Sequence, residues 1–257
     1  MQERIRRTAR LAQKGEAPKP EDYVQIYSEH PNCSGGVETL KLFMPYGVRD
    51  FLTGKPPGDS SGFSYEEILE SLVRSGFWFW PEELKAPLRL ISQRLFWDWF
   101  ESGSFSWPAP DYQKDDHLGP GDDILTLATL CQIDPYALVE ALSTLHTPQA
   151  DDVCASVLTF SADACVYVAA DLSDDAAPYQ SASKAIATTL RAREAQGFLD
   201  VITPDWLDDA YFRNAETYPR LAKSISDFAL YFDSHSISRQ TAAQQPCLVT
   251  WPDLPTI

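Results

Sequence analysis

Apolar side chains recur at intervals of three and four residues along much of the chain. This spacing places them on one face of an α-helix, with polar residues on the other faces. The pattern predicts a mainly α fold, a helical bundle-like array. The clearest stripes are Leu88, Ile91, Leu95 and Trp99; Leu138, Val139, Leu142 and Leu145; and Leu221, Ile225, Phe228 and Phe232.

Residues typical of helix ends divide this pattern into elements. Asp134-Pro135 and Thr203-Pro204 each combine a capping side chain with a proline suited to the first helical position. We expect a helix to begin at Pro87, and another to run from residue 180 to Gly197, where glycine would end it.

A minor β contribution is expected in the N-terminal third and the C-terminal tail. Residues 22–28 fit a short strand or a helical turn, and residues 247–251 a strand or an extended arm. Residues 77–80 alternate Phe and Trp, so as a strand they would be apolar on both faces and therefore buried or at an interface. Residues 164–170 are β-branched enough to leave strand and helix both open.

Composition along the chain suggests four segments. Residues 1–20 are basic, and we expect a flexible, frayed helix there rather than a nucleic-acid arm. Residues 21–109 form an aromatic-rich lobe, and residues 110–121 are a polar junction rich in Pro and Gly. Residues 122–257 form an acidic helical lobe, which either stands alone or forms one compact domain with residues 21–109.

The acidity of the chain is concentrated in one window. The formal net charge is −16, and residues 109–183 hold thirteen carboxylates against a single cation, Lys114. Such charge disfavours nucleic acid and anionic membranes as partners of the main body. At 44% apolar residues the chain is nevertheless globular, and no run reaches the length of a membrane span.

The five cysteines are scattered, with no C-x-x-C and no Cys/His cluster at metal-binding spacing. Free thiols in a reducing, cytoplasmic protein are the expectation. Aspartate clusters can hold hard cations, but the D-x-D-x-D-G loop is absent. We therefore expect neither a metal nor a cofactor.

Aspartate outnumbers glutamate in the acidic window by twelve to one, and much of it occurs in adjacent pairs. Aspartate prefers helix caps to helix interiors, so several pairs are interpreted as N-terminal caps facing helix dipoles. The missing cations suggest a negative surface that would steer and bind a basic partner. The residues predicted to form it are Asp115, Asp116, Asp122, Asp123, Asp151, Asp152, Asp174 and Asp175, and one more pair lies outside the window at 208–209.

One catalytic alternative stands beside the surface hypothesis. Cys33 lies in the turn His30-Pro-Asn-Cys-Ser-Gly-Gly, where a following helix would lower the thiol pKa. The amides of Gly35 and Gly36 could stabilise an oxyanion, with His30 among the candidate bases. A turn with an inert thiol explains the same residues, and no family-specific cysteine signature is present.

The sequence therefore favours a non-catalytic, acidic binding protein of bacterial or phage origin. We expect it to inhibit or neutralise a basic protein partner, as immunity proteins and anti-defence inhibitors do. The partner would be a toxin, a nuclease or a nucleic-acid-binding protein, whose basic groove the carboxylates fill in place of phosphates. The alternatives are a Cys33-dependent hydrolase or transferase, and a structural or scaffold subunit that uses the tryptophan-rich segment.

Overall fold

The computed structural model describes residues 2–16, 26–27, 29–52, 65–102, 121–156 and 165–247. These ranges are mainly helical and contain no strand, which confirms the predicted mainly α class. The α-helices are α1 (Gln2–Gln13), α2 (Pro31–Ser34), α3 (Val37–Leu52), α4 (Tyr65–Arg74), α5 (Glu82–Ser102), α6 (Gly121–Leu130), α7 (Pro135–Leu145), α8 (Pro148–Ser156), α9 (Gln180–Val201), α10 (Pro204–Asn214), α11 (Pro219–Ala229) and α12 (Phe232–Ala243). Two 3-10 helices are η1 (Phe77–Phe79) and η2 (Ala177–Tyr179), and residues 165–168 form one further helical turn.

The β contribution expected in the N-terminal third is wrong for the described residues. The Phe/Trp alternation belongs to η1, because Gly76 reverses the chain at φ +68° and the amides of Phe79 and Trp80 donate back to the carbonyls of Gly76 and Phe77. The alternation therefore reflects burial around a tight turn. Residues 26–27 and 165–168 are also helical, and residues 248–251 of the expected C-terminal strand lie outside the described residues.

Two predicted helix boundaries differ from those observed, and two predicted starts are confirmed. Helix α5 begins at Glu82, whose acidic side chain suits a first turn, so that Pro87 lies inside the helix. Helix α9 continues through Gly197 to Val201. Asp134 and Thr203 cap α7 and α10 as expected. None of the described helices combines the length and the apolar composition needed to cross a lipid bilayer.

The chain divides into two compact units, and the first comprises Met1–Leu88 with Tyr167–Lys184. Its core contains large apolar side chains from α3, α4 and η1, including Phe43, Leu72 and Phe77. Two hydrogen bonds to main-chain carbonyls link separate segments of this core, one from Tyr27 to Phe43 and one from Ser71 to Tyr27. These bonds satisfy buried hydroxyl groups, which would otherwise cost stability.

The second unit comprises Arg89–Val166 with Ala185–Ile257. Helix α10 packs against α11, and α11 packs against α8. Hydrogen bonds tie the elements at their ends: Thr147 Oγ1 donates to the Phe100 carbonyl at 2.7 Å, and Trp206 Nε1 to the Ser143 carbonyl at 3.2 Å. The second of these bonds links α7 to α10, which carries the surface described below.

Gly197 lies at a close approach of α9 to α7. A Cβ atom at this position would lie 3.1 Å from the Cα of Tyr136 and 3.1 Å from the Cβ of Val139. The glycine is therefore retained inside a helix, despite its low helix propensity, because a larger residue would separate the two helices.

We expect Gly197→Val to lower the free energy of unfolding by about 2 kcal/mol, because overpacking a close helix contact costs about 1–3 kcal/mol. Chemical denaturation followed by circular dichroism measures the change. The matched control is Ala182→Val on the exposed surface of the same helix. The lower helix propensity of valine alone predicts a loss of about 0.5 kcal/mol in the free energy of unfolding. Equal losses in the two variants would contradict the close approach.

Candidate interaction surface

The aspartate pairs predicted to form one negative surface lie in different environments. Asp115 and Asp116 lie outside the described residues. Asp122 and Asp123 lie in the first turn of α6. The remaining two pairs are described together with their surroundings, and they differ sharply in burial.

Asp151 and Asp152, predicted as exposed caps on a partner-binding surface, are buried instead. Asp151 is 1% exposed and Asp152 is 6% exposed. The reason is that α8 begins at Pro148, which places both residues within the helix rather than before it. The Asp151 carboxylate accepts hydrogen bonds from Arg213 at 2.8 and 3.3 Å and from the Asn214 side-chain amide at 2.7 Å. Buried carboxylates of this kind do not form a partner-binding surface.

A second acid of the window, Asp134, is also paired. Its carboxylate accepts hydrogen bonds from the Arg193 guanidinium at 2.6 and 3.1 Å, in addition to capping α7. The hydrogen bond to Asp134 raises the pKa of Arg193 above its ordinary value. The same guanidinium lies over the Tyr136 ring, 4.7 Å from its centroid. Arginines from residues 184–257 thus supply part of the charge compensation that is missing from the acidic window itself.

Asp174 and Asp175 are exposed, and they belong to the first unit. Asp175 Oδ2 accepts a hydrogen bond from the Val37 amide at 3.3 Å, so this residue caps α3 from 138 positions away in the sequence. The Asp174 amide donates to Asn32 Oδ1 at 2.9 Å. Asp175 therefore caps a helix other than its own through a tertiary contact, which the sequence did not predict.

The most sharply defined acidic surface lies on α10, in the second unit. We call Asp205, Asp208, Asp209 and Phe212 the acid–aromatic face, since their spacing places them on one side of the helix. All three carboxylates are exposed, and none has an ion-pair partner in the part of the chain that the structure describes. Phe212 is 73% exposed.

The opposite side of α10 explains why this face points outward. Leu207, Ala210 and Asn214 are buried and pack the helix against the unit. The cation of the helix, Arg213, is engaged by Asp151 and also lies over the Trp206 ring, 5.8 Å from its centroid. The exposed side of the helix is consequently acidic without a compensating cation of its own.

Segment-wise charge counting missed this surface. Residues 184–257 carry nearly balanced charge, so a charge count over this segment does not single out the aspartate pair at 208–209. A helical projection of residues 204–214 would have found it, because three acids and a phenylalanine share one side while the apolar residues of the helix lie opposite. The pairing of Arg213 with Asp151 has no signal in the sequence.

The catalytic alternative around Cys33 is not assembled by the described contacts. The amides of Gly35 and Gly36 both donate to the Pro31 carbonyl, and this leaves neither free for an oxyanion. His30 Nδ1 accepts from the Asn32 amide at 3.2 Å, which makes His30 the cap of α2. No hydrogen bond joins the Cys33 thiol to a histidine among the described residues.

The described residues contain no group of three or more His, Cys, Asp or Glu side chains arranged to hold a metal ion. Comparisons with protein-family models, with curated proteins and with solved structures returned no match for this chain.

Three of the five thiols are buried in the second unit. Burial raises the pKa of Cys131 and Cys165 to about 12 and that of Cys154 well above its ordinary value. A thiol with a raised pKa stays protonated and unreactive, since the thiolate is the nucleophile. Cys33 and Cys247 are exposed.

We expect a thiol reagent at about pH 8 to modify Cys33 and Cys247 in the folded protein, and all five cysteines only after denaturation. Mass spectrometry of proteolytic fragments locates the modified residues. Rapid labelling of Cys131, Cys154 or Cys165 in the folded protein would contradict the packing of the second unit.

Proposed function

We propose that this chain is a non-catalytic binding protein that engages a basic protein partner through the acid–aromatic face of α10. The observation that carries the proposal is the combination of three uncompensated carboxylates with an exposed phenylalanine on one helix side. Like charges three and four positions apart destabilise a helix by about 0.2–0.5 kcal/mol per pair. Their presence together with Phe212 therefore favours a role in recognition.

The two parts of this face have different roles in binding. An exposed aromatic ring supplies a large apolar contact and is the kind of residue that dominates the free energy of association. The Tyr211 ring lies against Phe212 with centroids 5.3 Å apart, and this contact orients the anchor. The surrounding carboxylates attract a positive surface and raise the association rate.

We interpret this binding as inhibition of the basic partner. A toxin, nuclease or nucleic-acid-binding protein presents a basic groove for phosphates, and an acidic surface can occupy that groove in their place. We propose that the chain neutralises such a protein in the cytoplasm of a bacterium or in a phage-infected cell. For Asp115, Asp116, Asp122, Asp123 and Asp174, a role in partner binding remains a prediction from the sequence.

The test begins by capturing proteins from the native host on the immobilised full chain at low salt. The captured partner is then purified, and its dissociation constant is measured against defined variants. One variant combines Asp205→Asn, Asp208→Asn and Asp209→Asn, which removes charge but keeps shape. Another is Phe212→Ser, which removes the anchor.

We expect Phe212→Ser to weaken binding by about thirtyfold, the effect of losing a hot spot of about 2 kcal/mol. The triple variant should slow association and flatten the salt dependence of binding. Leu230→Ser and Asp227→Asn are matched controls on other exposed positions of the same unit, and should bind as the wild type does. An acidic partner would contradict the proposal. A partner whose affinity changes neither with salt concentration nor in either α10 variant would contradict it as well.

A further inference from the structure

A cleft of about 290 Å³ opens within the first unit, between the start of α3, the turn after α4 and the segment that leads into η2. Three aromatic rings line it, those of Phe79, Trp80 and Tyr179. Glu38 and Asp175 add carboxylates to the same lining. A cleft of this size lies at the lower end of small-ligand sites and suits one side chain better than a cofactor.

One wall of the cleft is a flat aromatic stack. The rings of Phe79 and Tyr179 lie 4.5 Å apart with an interplanar angle of 8°, and Tyr179 is 45% exposed. The backbone behind this wall is closely packed, since a Cβ atom on Gly76 would lie 3.0 Å from the Cβ of Ala176. The ring of Tyr179 is therefore held in place while part of it remains accessible.

Each of the two carboxylates accepts one described hydrogen bond. Asp175 Oδ2 accepts from the Val37 amide, and Glu38 Oε1 accepts from Lys41 Nζ at 2.8 Å. The second oxygen of each carboxylate, Oδ1 and Oε2, has no donor among the described residues. Each therefore offers an acceptor that can pair with a cationic ligand, and the contact with Val37 also links Asp175 to the start of α3.

The charge of the cleft is negative despite the presence of Lys41. That ammonium group is paired with Glu38 and lies over the Trp80 ring, 5.5 Å from its centroid. The carboxylate of Asp175 remains without a cationic partner in the described part of the chain, and the exposed Asp174 adjoins it in sequence. A cationic ligand is consequently favoured over an anionic one.

We propose that this cleft accepts an arginine side chain of the basic partner. A guanidinium is planar, so it stacks on an aromatic face such as Tyr179, and its forked donors match free carboxylate oxygens. An ammonium group fits less well, because it is compact, more strongly hydrated and unable to stack. The assignment of the arginine to a partner rests on the function proposed above, whereas the preference of the cleft for guanidinium does not.

The test uses the full chain and three blocked tripeptides, Gly-Xaa-Gly, in which Xaa is arginine, lysine or citrulline. Citrulline has nearly the shape of arginine but no charge. NMR titration follows the indole N–H of Trp80 and the ring of Tyr179. We expect the arginine peptide to bind with a dissociation constant of about 1 mM, and the other two at least about tenfold more weakly.

Variants locate the binding in the cleft. Asp175→Asn keeps an acceptor for the Val37 amide and removes only the charge, and Tyr179→Leu removes the stacking ring. Each should weaken binding of the arginine peptide by about fivefold or more, whereas Glu140→Gln, an exposed residue that does not line the cleft, should leave binding unchanged. Equal binding of the arginine and citrulline peptides, or wild-type binding by both cleft variants, would overturn the proposal.

The same titration separates this proposal from the proposed function. The triple α10 variant should bind the arginine peptide as the wild type does, because its changed residues lie in the second unit. If arginine binds in the cleft but the α10 variants leave partner affinity unchanged, the function proposed for α10 fails and the cleft assignment stands. If the arginine peptide does not bind the wild type, the cleft assignment fails whatever α10 does.

Discussion

The ion pair between Asp151 and Arg213 determines how the second unit presents α10. Asp151 is buried, and an unpaired buried carboxylate would cost several kcal/mol. Arg213 and Asn214 of α10 satisfy it, and these contacts link that helix to α8. The acids on the exposed side of α10 face outward, and the arginine of this helix that could have balanced them is paired with Asp151. The acid–aromatic face therefore depends on the ion pair between Asp151 and Arg213.

Ion pairs between residues distant in sequence explain why the charge counted along a window of the sequence is a poor guide to the charge on the surface. Asp134 pairs with Arg193, and Asp151 pairs with Arg213, although both arginines lie outside the acidic window. In the first unit Asp175 meets the amide end of α3 instead of a cation. Each of these acids has a partner elsewhere in the chain, and the acid–aromatic face consists of residues outside the predicted set.

The features that could be predicted from the sequence are those that depend on residues close together along the chain. The stripes of Leu95 and Trp99 are buried as their spacing indicates, and Asp134 and Thr203 cap the expected helices. Contacts between distant residues were not accessible: the cap from Asp175 to α3, the close approach at Gly197, and the direction of Arg213 all depend on tertiary packing. The alternation in residues 77–80 misled because a buried tight turn and a buried strand need the same apolar residues.

A double-mutant cycle on Asp151 and Arg213 tests the central claim most directly. Asp151→Ala, Arg213→Ala and the double variant are compared in chemical denaturation at low and high salt, and the coupling energy is calculated from the four stabilities. A committed internal pair should give a coupling of about 2 kcal/mol or more, with little dependence on salt. A coupling below about 0.5 kcal/mol, or one abolished by salt, is the behaviour of a surface pair. That result would mean that Arg213 is available to α10, and the acid–aromatic face would lose its physical basis.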